Sequence, residues 1–369
     1  MNTLSLARHQ QILFALLKLA LWNKVPDKAL FENVNETEWD KVYHLSVSHE
    51  ISAIVLDGII LLPKELQPSR TIKLRWILNV EKIENGYEKK LSVANEIAAI
   101  FSENNIQMMI FKGIGLAQFY PVPKHREFID IDFYLFGKQE EGDRLLLQSD
   151  AVETEYNIDK HSVLHYKNVS LENHSYFLAE STFNNIHSLE EILQRMLANG
   201  KFSSNSLVNK ALFPPSDFNI LFILCHSFGH YFIDRLFLKH LCDWAVFLKA
   251  NKGNIDFTAY RKIITECNFT KFSDAFTALA IQYLELDPES APPFINNPEI
   301  ENRILQELFE PHIHQNFKNL SLPKIVKLKI DRLKSRKWRY DEYLGPNSFN
   351  KAVWHSVIFH ICHPKSTVE

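Results

Sequence analysis

The sequence predicts an α+β protein, a small mixed β-sheet core flanked by helical regions on both sides. Three observations carry that expectation. Glycine is scarce (10) and phenylalanine plentiful (27) in 369 residues, a balance that favours long helices over a tight-turned all-β fold. Apolar residues recur at helical spacing through the first hundred residues and again from Ser188 onward. Between them, from Ile106, the pattern becomes short apolar runs with alternating polar residues, which is the signature of strands. The boundaries that follow are a helical region over 1–104, an α/β core over 105–187 and a helical region over 188–369.

In the first region, Leu4 to Leu21, Glu36 to Val47 and Ile51 to Leu62 read as helices. A long helix runs from Thr71 to Asn104, with Leu74, Ile77, Leu78, Val80, Ile83, Leu91, Ala94 and Ile97 as its expected inward face. In the core, Met108–Phe111 reads as a buried strand, Ile114–Tyr120 as a short helix and Phe128–Phe136 as a second strand. Glu140–Gln148 is a helix, and His161–Tyr166 and Val169–Phe177 are two more strands joined near Lys167-Asn168. In the third region, Ser188 with Glu190 and Glu191, and Ser216-Asp217, are helix starts with acids in the first turn. Helices over Leu236–Lys249, Thr258–Cys267, Ser273–Leu284 and Glu299–Phe309 follow, then a basic helix from Pro323 to Tyr340.

Composition excludes some functions. A formal charge of -3 gives no overall pull toward nucleic acid or an anionic membrane. The apolar patch Ile12–Trp22 is interrupted by Lys18 and is too short to span a bilayer, so no membrane partner is expected. The four cysteines, Cys225, Cys242, Cys267 and Cys362, form no CxxC pair. They read as buried reduced thiols, consistent with a cytoplasmic location.

The stretch Ile106–Phe136 concentrates the chemistry. Its first strand ends in Lys112-Gly113, and its second carries Asp130 and Asp132. Acids at i and i+2 of a strand share one face of the sheet. Two crowded carboxylates are costly unless a cation or proton sits between them. Mg²⁺ is held in this way by one or two carboxylates together with substrate phosphates. Glu172 shares a face with His174 on a later strand and is the candidate third acid.

Taken together, these residues resemble an uncharacterised nucleotidyltransferase family within the polymerase-β-like nucleotidyltransferase superfamily. The matching positions are Phe111-Lys112-Gly113, Tyr120, Arg126, Asp130-Ile131-Asp132 and Glu172-Asn173-His174, then His226, His230 and Asp243-Trp244-Ala245. The likeness covers roughly 94–250. The Lys-Gly turn departs from the small-residue turn usual in the superfamily. The resemblance implies that Asp130, Asp132 and Glu172 are catalytic residues and ligands of Mg²⁺, with Mn²⁺ as the other ion. It implies that Lys112, Gly113 and Arg126 contact the phosphates of an NTP. The acceptor implied is a hydroxyl on a small molecule, a protein or RNA.

His226 and His230 lie four apart on a helix and share a face. They read as acceptor-contacting or supporting groups, with Asp243 orienting one imidazole and His174 joining them. A zinc-type hydrolase built on His226, His230 and Asp243 is one alternative function, although the Glu of an HExxH motif is absent. A catalytically silent nucleotide- or partner-binding protein of the same fold is another. The helix Lys324–Arg339, with eight basic residues, reads as a solvated face or as a contact for a phosphorylated acceptor.

Overall fold

The computed structural model describes residues 5–149, 151–157, 161–178, 186–233, 235–310, 331, 334, 336–345, 349–350 and 353. Helices α1 (Arg8–Trp22), α2 (Glu36–Ser48) and α3 (Ser52–Leu61) open the chain, and α4 (Arg70–Glu103) follows as the longest element. Asn35 caps α2 by accepting from the Glu38 N–H at 2.9 Å, satisfying one of the amides that every helix start leaves open.

At 34 residues, α4 is about 50 Å long, long enough to serve two layers. Its first half buries Ile72, Trp76 and Val80 against the N-terminal helices, and the Trp76 indole N–H donates to the Ser52 carbonyl at 2.8 Å. Its second half buries Val93, Ala94, Ile97 and Phe101 beneath the sheet.

The inward face expected for α4 needs correction. Leu74, Ile77 and Leu78 are 54%, 44% and 51% exposed. This part of the helix carries two apolar stripes, and α3 covers only the one that contains Trp76.

Among the described residues the sheet has seven strands, in the order β3-β4-β5-β2-β1-β7-β6. These are β1 (Met108–Ile110), β2 (Asp130–Tyr134), β3 (Val152–Asn157), β4 (His161–Tyr166), β5 (Val169–His174), β6 (Ser203–Ser204) and β7 (Ala211–Phe213). Pairing is parallel between β2 and β5 and between β1 and β7, and antiparallel elsewhere. Strands β3, β6 and β7 are additions to the sequence reading. The first is polar, and the other two are too short to show a period.

Alternation gives the sheet two unlike faces. Met108, Ile110, Ile131, Phe133, Leu164 and Leu171 turn toward α4 and α6 (Gln139–Gln148) in one core. Met109, Phe111 and Tyr134 turn the other way, into a larger core with Phe177 and with Phe218 and Phe222 of α8 (Ser216–Ile233). That larger core runs on through α9 (Leu238–Ala250), α11 (Thr270–Leu284) and α12 (Pro298–Phe309) and takes in α1. The N-terminal helix α1 and the helices that follow the sheet therefore share one core. Trp22 Nε1 donates to the Leu284 carbonyl at 2.6 Å, and Lys18 pairs with Glu285 at 2.7 Å.

Among the described residues, no helix is long and apolar enough to cross a membrane. Cys225, Cys242 and Cys267 are buried free thiols. Cys362, Trp354 and most of the basic helix, including Lys324, Lys327, Lys329 and Arg332, lie outside the described residues. Arg339 does not join a solvated basic face: it is buried, pairs with Glu307 and donates to the Tyr231 carbonyl.

Candidate active site

The site lies on the α8-facing side of the sheet, at β2 and β5. Parallel pairing sets Asp132 opposite Glu172 and Asp130 opposite Ser170. Because residues directly opposite share a face, Asp130, Asp132, Glu172 and His174 stand on one side. The antiparallel pairing of β4 with β5 sets His161 opposite His174 and so adds it to the same face.

Lys112 enters from the end of β1. Phe111 is extended, and Lys112 then takes a left-handed conformation with φ 53°. That conformation is uncommon for a residue with a side chain. Its ammonium lies 2.6 Å from Asp132 Oδ1, and both side chains are buried. At Gly113, an added Cβ would come within 3.2 Å of Phe128 Cβ. The glycine therefore lets β1 and the segment before β2 approach one another.

The same Asp132 oxygen is met by His174 Nε2 at 2.9 Å, and that nitrogen is also 3.3 Å from Glu172 Oε2. His161 Nε2 is 3.6 Å from the same Glu172 oxygen. The charges are strongly coupled. Burial would raise the Asp132 carboxyl, but the Lys112 ammonium and the His174 hydrogen bond outweigh it and hold that carboxyl well below the usual range. Among the described residues no lysine or histidine hydrogen-bonds to Asp130, and Lys112 acts on it only through its charge. Burial first, and then Asp132 and Glu172, push its carboxyl up to about 7. Glu172 is lowered, its burial being outweighed chiefly by the His174 hydrogen bond. For Lys112, burial is outweighed by Asp132, Glu172 and Asp130, so the ammonium is favoured.

This layout has a buried lysine at a strand end, two acids at i and i+2, and a third acid opposite them on a parallel strand. The family model of uncharacterised nucleotidyltransferases matches residues 35–285. The chain belongs to that family. No curated protein matches it. Among solved structures, the crystal structure of ANT(2")-Ia in complex with adenylyl-2"-tobramycin matches at 11% identity and a TM-score of 0.35. That match covers 50% of this chain and 98% of the other, a likeness too distant to carry any residue across.

Two placements in this nucleotidyltransferase-family chain differ from expectation. Arg126 is not beside the acids. Its Nε and Nη2 donate to Asp243 at 3.1 and 2.6 Å, and Tyr120 Oη donates to the same carboxylate at 2.7 Å. Arg126 and Asp243 are both buried. Asp243 thus ties α9 to the loop that leads into β2, where the sequence suggested an imidazole partner. Burial of the guanidinium is outweighed by the Asp243 charge, so Arg126 stays protonated. The neighbouring His125 bridges Asp57 at 2.7 Å and Glu84 at 2.8 Å, which pins this loop to α3 and α4.

The second difference concerns the histidines. His226 and His230 share a face of α8, as their spacing requires, but their third companion is His240 of α9 and not Asp243. Ligand atoms of the three histidines lie within 4.8 Å of one another. The Phe237 N–H donates to His240 Nδ1 at 3.2 Å, so the ring's own proton belongs on Nε2, leaving no lone pair there for a metal. Phe222 joins this cluster to the acids: its ring is 6.0 Å from that of His226 and 5.9 Å from the Lys112 ammonium. Sequence reasoning missed His161 and His240, because each joins its group only through the packing of one element on the next, β4 on β5 and α9 on α8, which no spacing within a single element shows.

Proposed function

We propose that this chain transfers a nucleotidyl group from an NTP to an acceptor hydroxyl, with a divalent cation, Mg²⁺ or Mn²⁺, held by Asp130, Asp132 and Glu172. The observation that carries the reading is the strand register that sets Asp132 opposite Glu172, with Asp130 on the same face. The donor set fits such an ion. Three carboxylates crowd one half-buried spot, and a hard cation relieves their mutual repulsion. A divalent ion held there would supply positive charge against the triphosphate and the leaving pyrophosphate.

The chain's own residues then have separate tasks. Lys112 pairs with Asp132 and would offer its ammonium to a phosphate bound beside the acids. Glu172, 20% exposed at its side chain, accepts the proton of the acceptor hydroxyl. The acceptor oxygen forms its new bond to the α-phosphorus as the bond to the bridging oxygen breaks, and pyrophosphate leaves with that electron pair. Transfer of this kind depends on positioning and charge more than on covalent chemistry from the protein. Arg126 acts here as a brace, through Asp243, for the loop before β2. The face of α8 that carries Phe222, His226 and His230 is our candidate wall for the acceptor. The acceptor class stays open among small molecules, protein side chains and RNA. Buried free thiols fit a reducing, cytoplasmic setting.

The test is incubation with α-labelled NTPs, a divalent cation and pooled candidate acceptors, reading pyrophosphate release and label transfer. Both should occur in the native chain and vanish in Asp130→Asn/Asp132→Asn. NTP binding without release would favour the silent nucleotide-binding reading. Turnover unchanged in the double variant would sink the proposal.

A further inference from the structure

The cation site has more than carboxylates around it. His161, Glu172 and His174 present ligand atoms that all lie within 4.8 Å of one another, and Asp132 Oδ1 is 2.9 Å from His174 Nε2. Four donor groups from three adjacent strands, two nitrogen and two oxygen, thus converge on one spot beside Asp130.

Their separations suit one ion. Adjacent ligands of an octahedral cation with ~2.1 Å bonds lie about 3 Å apart. Here the His174–Asp132, His174–Glu172 and His161–Glu172 separations are 2.9, 3.3 and 3.6 Å.

The rings are also set for the task. His174 Nδ1 faces the Tyr176 carbonyl at 3.2 Å. A carbonyl only accepts, so Nδ1 donates to it, and Nε2, the nitrogen turned to the acids, is the one that would exchange its hydrogen bond to Asp132 for a bond to an ion. A ligating imidazole is commonly oriented by such a backbone contact on its far nitrogen. His174 is fully buried, and the Phe111 ring edge packs against it with ring centroids 5.0 Å apart. The His161 ring lies 4.9 Å from that of His174.

We infer that this cation site takes nitrogen as well as oxygen ligands, His174 with His161 joining Asp132 and Glu172, and that it selects a nitrogen-tolerant first-row ion such as Mn²⁺ over Mg²⁺. Mg²⁺ prefers oxygen and parts with its waters reluctantly, whereas the first-row ions accept imidazole more readily, Mn²⁺ the least strongly among them. The inference rests on the reading that these acids hold a cation.

The experiment is Mn²⁺ titration of the full chain, followed by continuous-wave and pulsed electron paramagnetic resonance, with calorimetric titration of Mn²⁺ and Mg²⁺ in parallel. Expected are one bound Mn²⁺ with nitrogen-14 coupling from coordinated imidazole, and tighter binding of Mn²⁺ than of Mg²⁺. His174→Gln should lose the coupling and most of the preference. His161→Gln, at a less buried position, should weaken Mn²⁺ selectively and serves if the first variant fails to fold. Bound Mn²⁺ without nitrogen coupling, or equal affinity for the two ions, would overturn this inference and leave the carboxylate reading standing. Absence of any ion at the site would overturn both.

Discussion

Replacing Asp130 by Asn should make the unliganded protein more stable. Asp130 is the acid of the site to which, among the described residues, no lysine or histidine hydrogen-bonds, and its carboxyl is pushed from 3.8 up to about 7 by burial and by its acidic neighbours. A displacement of that size corresponds to at most about 4 kcal/mol between the two protonation states. Asn still buries a polar amide, so a gain of about 1–3 kcal/mol is the expected fraction.

The sign follows from linkage. A carboxyl whose folded value is raised carries no penalty below its unfolded value and the full penalty above its folded value. The gain should therefore be largest at pH 8 and shrink steadily toward pH 5. The assay is urea or thermal unfolding of both proteins in chelator across that range, repeated with Mn²⁺ or Mg²⁺. A cation at 100 times its dissociation constant should stabilise the native protein by about 2.7 kcal/mol and the variant by much less, closing or reversing the gap between them. Destabilisation by Asp130→Asn at pH 8 in chelator, or equal stabilisation of both proteins by metal, would refute the reasoning.

Three further outcomes follow from the packing. Glu127, raised to about 7 chiefly by burial while accepting from the Ser52 N–H, should give Glu127→Gln the same pH trend in unfolding experiments, with no dependence on added metal. Asp243→Asn should cost about 3–5 kcal/mol in urea unfolding, because it strands a buried guanidinium, and Arg126→Met/Asp243→Leu should cost clearly less than the sum of the two single changes; additive costs would mean the pair is not coupled. On α4, Trp76→Ala should cost about 3–5 kcal/mol, whereas Leu74→Gln or Ile77→Gln should change stability by about 0.5 kcal/mol or less, which unfolding curves resolve directly.

Local periods carried a good deal of this. The spacing of Asp130 and Asp132 and of Glu172 and His174 already assigns each pair to one face of a strand, and the helix and strand alternation places both pairs in one α/β segment. The structure adds the register, with β5 parallel to β2 so that Asp132 meets Glu172. Nothing local specifies that, because the order β4-β5-β2-β1 is set by what the whole sheet buries. Arg126 is the clearest case: its partner Asp243 lies 117 residues away, and a lone arginine near an acidic motif is compatible with a phosphate contact or a buried brace. The histidines follow the same rule. The pair on α8 shows in its own spacing, whereas His240 joins only because α9 packs against α8. On α4 the difficulty was two competing apolar stripes, and only the neighbouring helix decides between them.

The most direct measurement is a crystal structure of the native chain soaked with Mn²⁺ and a non-hydrolysable NTP, read by the anomalous signal of manganese. The expected result is a peak within bonding distance of Asp130, Asp132 and Glu172, with the α-phosphate beside it and Lys112 drawn off Asp132. Nucleotide bound elsewhere, or bound at the site with no metal peak and the Lys112–Asp132 pair intact, would contradict it.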